Sequence, residues 1–355
     1  MEGSEAIAEA MVAAGCRFFA GYPMTPFTEV LEHMARLLPA VGGVCMNAES
    51  ELEAVSMAWG AAATGTRAAT GSVGQGLSLM QESLAELCHA RIPLVVCNMA
   101  RGQGDYFQAT RGGGHGDHRH IVLAPHDVPE AVYLAQLAFD LADRWRNPVV
   151  FMGDYFLAHV EQGVEVQPID FGDPVDRSWA LDGTSGGSGA AKLLSPLGRA
   201  RRSDPDHVDY GRHLARIGDS VRAMAEGVTP MAEVVGVDGA ELVVVAYGTP
   251  ARYVRAAVDL LRDEGLAVGF VRPVTLWPFP SDAVAAAASS ARAVAVYELN
   301  LGQMVDDVRL AAAGSCPVEF IGGISFDHSG FGVAPDLDVE LLAGRIRRLT
   351  QRSPA

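Results

Sequence analysis

No cysteine pair in this chain has the Cys-x-x-Cys spacing, and the five cysteines (Cys16, Cys45, Cys88, Cys97 and Cys316) are scattered along 355 residues. That excludes a disulfide framework, a zinc knuckle or a cluster ligand set, and points to buried thiols in a reducing compartment. Apolar runs stay well short of the ~20 residues needed to cross a bilayer. The N-terminus carries Glu2 and Glu5 in place of a basic stretch, so no secretion signal is expected and a cytoplasmic location is. Positive charge is scarce: 27 Lys and Arg stand against 43 Asp and Glu, a net charge of -16. Such a chain repels phosphate backbones and anionic lipid surfaces, so nucleic acid and membrane are poor partners, and a protein of compensating charge is a better one. Gly-x-Gly-x-x-Gly and Walker loops are both missing, which removes the usual dinucleotide and nucleotide triphosphate sites.

What is present is an alternation of short apolar runs with helical patterns. Helices are expected over Ser4 to Ala14, Phe27 to Leu38, Ser50 to Thr64, Leu77 to Ala90 and Pro129 to Arg144. Between them lie strands at Cys16 to Gly21, Val44 to Met46, Arg67 to Thr70, Pro93 to Met99 and Pro148 to Met152. This order predicts an α/β fold with a parallel sheet covered on both faces. The pattern weakens from Pro168 to Glu233, where a Gly/Ser-rich stretch (Leu181 to Lys192) and a charged one (Arg199 to His213) suggest a surface crossover with one or two helices. Regular alternation then resumes from Glu241. A chain this long exceeds the usual size of one core, so two domains are expected, 1–167 and 234–355, joined by 168–233.

Chemistry-bearing residues concentrate at strand ends. Ser50 and Glu53 have capping-box spacing, which makes Glu51 a first-turn residue at the carboxyl edge of the sheet, where open α/β sheets bind ligands. The plain alternative is a carboxylate that favours the helix dipole. Gly71-Ser-Val-Gly-Gln-Gly76 is a strand-to-helix turn whose glycines permit close backbone approach. Thr25, in Tyr22-Pro-Met-Thr-Pro26, suits an N-cap or a ligand contact. Arg101 follows an apolar strand and could grip a carboxylate with a fork of donors. His115, His118 and His120 lack helical ligand spacing, so no metal is assigned, and His115 is taken as a substrate-facing donor.

Together, GYPMTPFTEV (Gly21 to Val30), AESELEAVSMAWGAA (Ala48 to Ala62), GSVGQGLSLMQE (Gly71 to Glu82) and RGGGHGDHRHIVLAP (Arg111 to Pro125) occur in order. VVVAYGT (Val243 to Thr249), VRPVTLWPFP (Val271 to Pro280) and ELNLGQMVDDVRLA (Glu298 to Ala311) follow. In these motifs the chain resembles the alpha subunit of 2-oxoacid:ferredoxin oxidoreductases, the branched-chain 2-oxoacid and 2-oxoglutarate members in particular. The resemblance implies a pyrimidine-binding domain for thiamine diphosphate and a smaller, transketolase C-terminal-like α/β domain. It implies that Glu51 shares a proton with N1′ of the aminopyrimidine and so turns that ring into a base. Tyr22, Pro23, Ser72, Gly74, Gln75 and Gly76 would surround the cofactor, and Thr25 and Arg101, with His115 nearby, the substrate.

Two departures stand out. The loop after Arg101 is shorter than in the family, which affects the substrate pocket, and the segment Gly322 to Gly332 lacks the family's Gly-Arg-Pro-Gly-Gly run. No Gly-Asp-Gly with a downstream Asn exists; Gly153-Asp154-Tyr155 is the nearest fragment. The diphosphate and its Mg²⁺ are therefore expected on a beta subunit, and iron–sulfur clusters on ferredoxin-like and gamma subunits, in a hetero-oligomer with two copies of the alpha–beta unit. The expected reaction is oxidative decarboxylation of a 2-oxoacid to acyl-CoA and CO2, with electrons passing to ferredoxin. A non-redox thiamine diphosphate decarboxylase or carboligase subunit, and a non-catalytic assembly subunit, are the alternatives.

Overall fold

A computed structural model describes residues 1–172, 175–181, 210–323 and 337–351. Nearly all of the Gly/Ser-rich stretch, most of the charged stretch and most of Gly322 to Gly332 lie outside these residues. The first half runs α1 (Gly3–Ala13), β1 (Phe18–Gly21), α2 (Thr28–Leu37), β2 (Val44–Asn47), α3 (Glu51–Ala63), β3 (Ala68–Ser72) and α4 (Gly74–Leu79). It continues through α5 (Gln81–Ala90), β4 (Leu94–Ala100), α6 (Tyr106–Thr110), β5 (Ile121–Leu123), α7 (Val128–Trp145), β6 (Pro148–Asp154) and α8 (Tyr155–His159). The second half runs α9 (Tyr210–Gly227), β7 (Ala232–Val235), β8 (Leu242–Val245), α10 (Pro250–Asp263), β9 (Val268–Pro273) and β10 (Thr275–Trp277). It closes with α11 (Ser281–Ser290), β11 (Ala293–Val296), α12 (Met304–Ala312), β12 (Val318–Phe320) and α13 (Val339–Thr350).

Two sheets result, in the orders β10-β5-β6-β4-β3-β1-β2 and β12-β11-β8-β9-β7. Strand β4 shows why the first is a doubly covered sheet: all seven residues are buried. Val95, Cys97 and Met99 pack with α1, α2 and α7, whereas Leu94 and Val96 pack with α3 and α5 on the other face. That is the period of two expected when each face of a strand meets a helix layer. The face carrying α3 and α5 is continuous with the core of the second sheet through Val243, Val245 and Val271.

The sheets are not purely parallel. Strand β10, from the second half, pairs antiparallel with β5 (Thr275 opposite Leu123) and completes the first sheet, and β7 runs antiparallel to β9. The predicted parallel sheet thus holds for six strands and gains a foreign edge. The expected helix Leu77 to Ala90 starts earlier, at Gly74, and is interrupted at Met80, giving α4 and α5. All five cysteines are free, and burial pushes the Cys16 and Cys97 thiols up to about 12, which leaves them unreactive. Among the described residues, no helix is long and apolar enough to cross a membrane.

Candidate active site

Four adjacent parallel strands, β4, β3, β1 and β2, end at one edge of the first sheet, and the residues after each end are those singled out above. Strand β2 leads through Ser50 into α3. Ser50 is extended, and its Oγ accepts from the Glu53 backbone N–H at 3.3 Å, while the Glu53 carboxylate accepts from the Glu49 N–H at 2.9 Å. The capping box forms, displaced by one residue on its return bond. Its effect is to aim Glu51 inward: the side chain is 3% exposed although it stands at a helix start.

Ser72, the last residue of β3 and fully buried, donates from Oγ to Glu51 Oε1 at 2.8 Å. Among the described residues Glu51 Oε2 makes no hydrogen bond, so one carboxylate oxygen is fixed and the other remains available. The glycines of α4 are explained by this contact. A Cβ at Gly76 would stand 2.0 Å from Ser72 Oγ and 2.4 Å from Glu51 Oε1, and one at Gly74 would stand 2.2 Å from Asp105 Oδ1. These glycines let the helix start close against the protein's own carboxyl groups. Gln75, between them, is exposed.

Asp105 lies in the short loop after Arg101. Here Asn98 Nδ2 and Gln108 Nε2 donate to it, at 3.0 and 3.1 Å. Burial raises its carboxyl pKa, and these two bonds oppose the rise. Asn98 pairs in register with Ser72, and its buried Oδ1 has no partner.

Arg101 emerges from β4, exposed, and donates from Nε to the Thr25 carbonyl at 3.0 Å. This bond joins the β4 and β1 loops and leaves the Nη fork of the guanidinium outward. Thr25 is exposed and caps nothing, since α2 begins after Phe27 without a side-chain cap. Tyr22 and Pro23 are also exposed, on the β1 side of the same opening.

His115 does not join this group. The loop carrying it runs along α5, and its Nε2 lies 3.0 Å from Glu86 Oε1, beside His89. The structure places it on α5: glycines on either side let the loop lie flat on that helix and turn the imidazole toward it.

The second sheet grips the loop after Arg101. Gln103 donates to the Tyr247 carbonyl at 2.9 Å and accepts from the Leu299 N–H at 2.8 Å. Asn300 donates to the Gln103 carbonyl at 2.9 Å, and Gln303 bonds to both Phe107 and Gly104. Glu298, fully buried, organises that turn by accepting from the backbone N–H groups of Gln303, Met304 and Val305. The motif beginning at Glu298 is thus a structural turn. The short loop after Arg101 is thus held by its own Gln103 side chain and by its backbone at Gln103 and Gly104, bonded to the second half of the chain.

The family described as pyruvate flavodoxin/ferredoxin oxidoreductase, thiamine diphosphate-binding, matches residues 9–183. The pyruvate:ferredoxin oxidoreductase core domain II matches residues 240–328. Ketoisovalerate oxidoreductase subunit VorB of Methanothermobacter thermautotrophicus is 37% identical, over 88% of this chain and 89% of its own. The chain belongs to the 2-oxoacid:ferredoxin oxidoreductases. The 2-oxoglutarate synthase subunit KorA of the same organism is 35% identical over 90% and 93% of the two chains. A solved structure of 2-oxoglutarate:ferredoxin oxidoreductase from Magnetococcus marinus, with 2-oxoglutarate, coenzyme A and succinyl-CoA bound, superposes with a TM-score of 0.80 at 26% identity. The match covers 99% of this chain and 65% of that one, so the present chain spans about two thirds of its length. A split-gene transketolase, at 14% identity and a TM-score of 0.63, shares the fold. The chain is an oxidoreductase subunit of this family, and Glu51, Ser72 and Arg101 all lie within the residues that match its thiamine diphosphate-binding domain.

Residues at that edge fit half of the cofactor. A buried carboxylate with one oxygen unused, beside an unpartnered Asn98 Oδ1, suits a heterocycle with donor and acceptor atoms. A diphosphate–Mg²⁺ site is another matter. Asp154 is committed as the N-cap of α8, accepting from the Leu157 N–H at 2.8 Å. Among the described residues, three potential metal ligands gather at Glu86, His89 and His115, on α5 and the loop along it and not at this edge.

Proposed function

We propose that this chain is the alpha-type subunit that activates the aminopyrimidine of thiamine diphosphate, in an enzyme that converts a 2-oxoacid and coenzyme A to acyl-CoA and CO2. Two electrons leave through iron–sulfur clusters of partner subunits to ferredoxin. The observation that carries this reading is the buried Glu51 carboxylate, oriented by Ser72 at the open edge of the sheet. When bound, thiamine diphosphate supplies the carbon nucleophile and the sink for the electron pair released with CO2. Glu51 would hold a proton at Oε2 for exchange with the pyrimidine nitrogen, Ser72 would fix Oε1 so that the proton has one address, and the Arg101 fork would bind the 2-oxoacid carboxylate. Thr25, tied to Arg101 through its carbonyl, presents its hydroxyl beside that anion. Tyr22, Pro23 and Gln75 line the opening.

Beta, gamma and ferredoxin-like subunits, two copies of the alpha–beta unit and a cytoplasmic setting complete the proposal, with residues 1–167 as the pyrimidine-binding unit. The surface around the edge supports a partner there. Strand β2 is an edge strand with Val44 and Met46 exposed, α3 exposes Leu52 and Met57, and α4 exposes Leu79. Grouped apolar side chains of this kind mark interfaces. VorB and KorA are named as subunits of a ketoisovalerate oxidoreductase and a 2-oxoglutarate synthase, so branched-chain 2-oxoacids and 2-oxoglutarate are the substrates to test.

The test is dye reduction by the complex assembled with its partner subunits, across a panel of 2-oxoacids, with and without coenzyme A. In that assay Arg101→Ala raises KM for the 2-oxoacid by ~10–100-fold, the size of a lost charge-assisted bond, with a smaller change in kcat. A variant with unchanged KM would limit Arg101 to holding the Thr25 turn. Coenzyme A-independent turnover without dye reduction would replace the proposal by a non-redox decarboxylase.

A further inference from the structure

We propose that Glu86, His89 and His115 form a binding site for one divalent transition-metal ion of the zinc class. The fold assembles the site from two segments. Glu86 and His89 lie one turn apart on α5, so they share a face of the helix. The loop carrying His115 is laid along that face by its glycines. Gly113 N–H donates to Gln81 Oε1 at 2.6 Å. A Cβ at Gly114 would come within 2.4 Å of the Gln81 carbonyl, and one at Gly116 within 2.7 Å of His89 Nε2. Only a glycine loop can approach α5 this closely, and the approach brings His115 Nε2 to 3.0 Å from Glu86 Oε1. One ligand atom from each of the three residues lies within 4.8 Å of the others.

The unused atoms point the same way. Glu86 Oε2 and His89 Nε2 are both buried and have no hydrogen-bond partner. Burying such groups unsatisfied is costly, and a bound ion would remove part of that cost. Burial, and then the neighbouring His115, His213 and His118 rings, push the His89 pKa down to about 4.

The donor set selects the ion. Two imidazoles and one carboxylate match zinc and its neighbours, whereas Mg²⁺ and Ca²⁺ require oxygen. A cavity of about 410 Å³ beside the site is lined by His89, His118 and His213 together with Arg91, Arg119 and Arg146. Those guanidinium groups disfavour a loosely held hydrated cation, so an ion here must be held by direct imidazole bonds. His115 has a side chain 56% exposed, which leaves a coordination position open to water. His213, buried and on α9, stacks edge-on at 5.4 Å from His89. An ion on His89 would thus sit where the helix after the crossover meets α5. Glu51 and Arg101 have no part in the site.

The probe is Co²⁺ alone, titrated into the untagged full-length chain after chelator treatment and followed by visible absorption, with Zn²⁺ as competitor. The proposal expects one equivalent of Co²⁺, an intensified visible band from low coordination number, and displacement by Zn²⁺. His115→Ala, at an exposed position that leaves the core intact, should weaken binding by more than the ~10–100-fold that outer-sphere changes cost. Zn²⁺ should raise the Tm of the wild-type chain and not that of His115→Ala. A spectrum that stays that of hydrated Co²⁺, or equal affinity in His115→Ala and wild type, would leave a Glu86–His115 ion pair and no metal site.

Discussion

Glu51→Gln is expected to lower kcat of the assembled enzyme by ~10²–10⁴-fold, the range for loss of a positioned acid–base group. Glutamine preserves the volume and can still accept from Ser72 Oγ, the bond at 2.8 Å that orients the native side chain. It cannot exchange a proton with a ring nitrogen. The variant should therefore keep its Tm, its partners and its thiamine diphosphate while losing turnover, and KM for the 2-oxoacid should change little. Steady-state kinetics, a melting curve and cofactor content on the same preparation separate these quantities. Activity within a few-fold of wild type would reduce Glu51 to a carboxylate that favours the start of α3. Ser72→Ala should act in the same direction and more weakly, because it removes the orientation of the carboxyl group and not the group.

The second large effect lies where the two halves of the chain meet. Arg272, on β9 and with a side chain 6% exposed, donates to Glu130 on α7 through both Nη atoms, at 2.7 and 3.0 Å. Its Nε donates to Glu233 on β7 at 2.8 Å. Glu130 also accepts from the His126 ring at 2.6 Å. Arg272→Met fills the space and leaves the mostly buried Glu130 carboxylate with His126 alone, which costs up to about 3–5 kcal/mol. Thermal unfolding should show a Tm roughly 10 °C lower, given the few degrees per kcal/mol expected of a chain this size.

The pH dependence has a definite sign. Burial pushes the Glu130 carboxyl up, but bonds from His126 and Arg272 outweigh it and hold the group at about 2, below its ordinary 4.5. A depressed carboxyl contributes stability that is complete above the ordinary value and is lost as pH falls toward about 2. In Arg272→Met part of that depression is gone, so the Tm gap between variant and wild type should narrow as pH drops below about 4.5. A gap that is absent at neutral pH, or constant through acid, contradicts this account of the junction.

How much of this was legible in the sequence depends on the distance over which each feature is decided. Strand β4 and helices α1, α3 and α7 were read to within about a residue or two, since a mostly apolar run broken only by Asn98 or a 3.6 period is a local signal. Glu51 was placed by the Ser50–Glu53 spacing, and the structure puts it where that spacing aims it. Strands β5 and β10 were missed. Each has three residues, too few for any period, and they pair across more than a hundred residues of sequence. Asp105 and Gln103 were passed over for a related reason: what makes them notable is Asn98, Tyr247 and Leu299, and no local pattern announces those contacts. The position of His115 was illegible for the same reason: the glycines around it press the loop on α5, and the imidazole follows the loop.

The half-site reading can be examined most directly in a structure of the assembled complex with thiamine diphosphate bound. The account predicts the aminopyrimidine N1′ within hydrogen-bond distance of Glu51 Oε2, with Ser72 still on Oε1, and the diphosphate and its metal held by another polypeptide. A cofactor whose pyrimidine ring contacts neither residue, or whose diphosphate is bound by this chain, would contradict it.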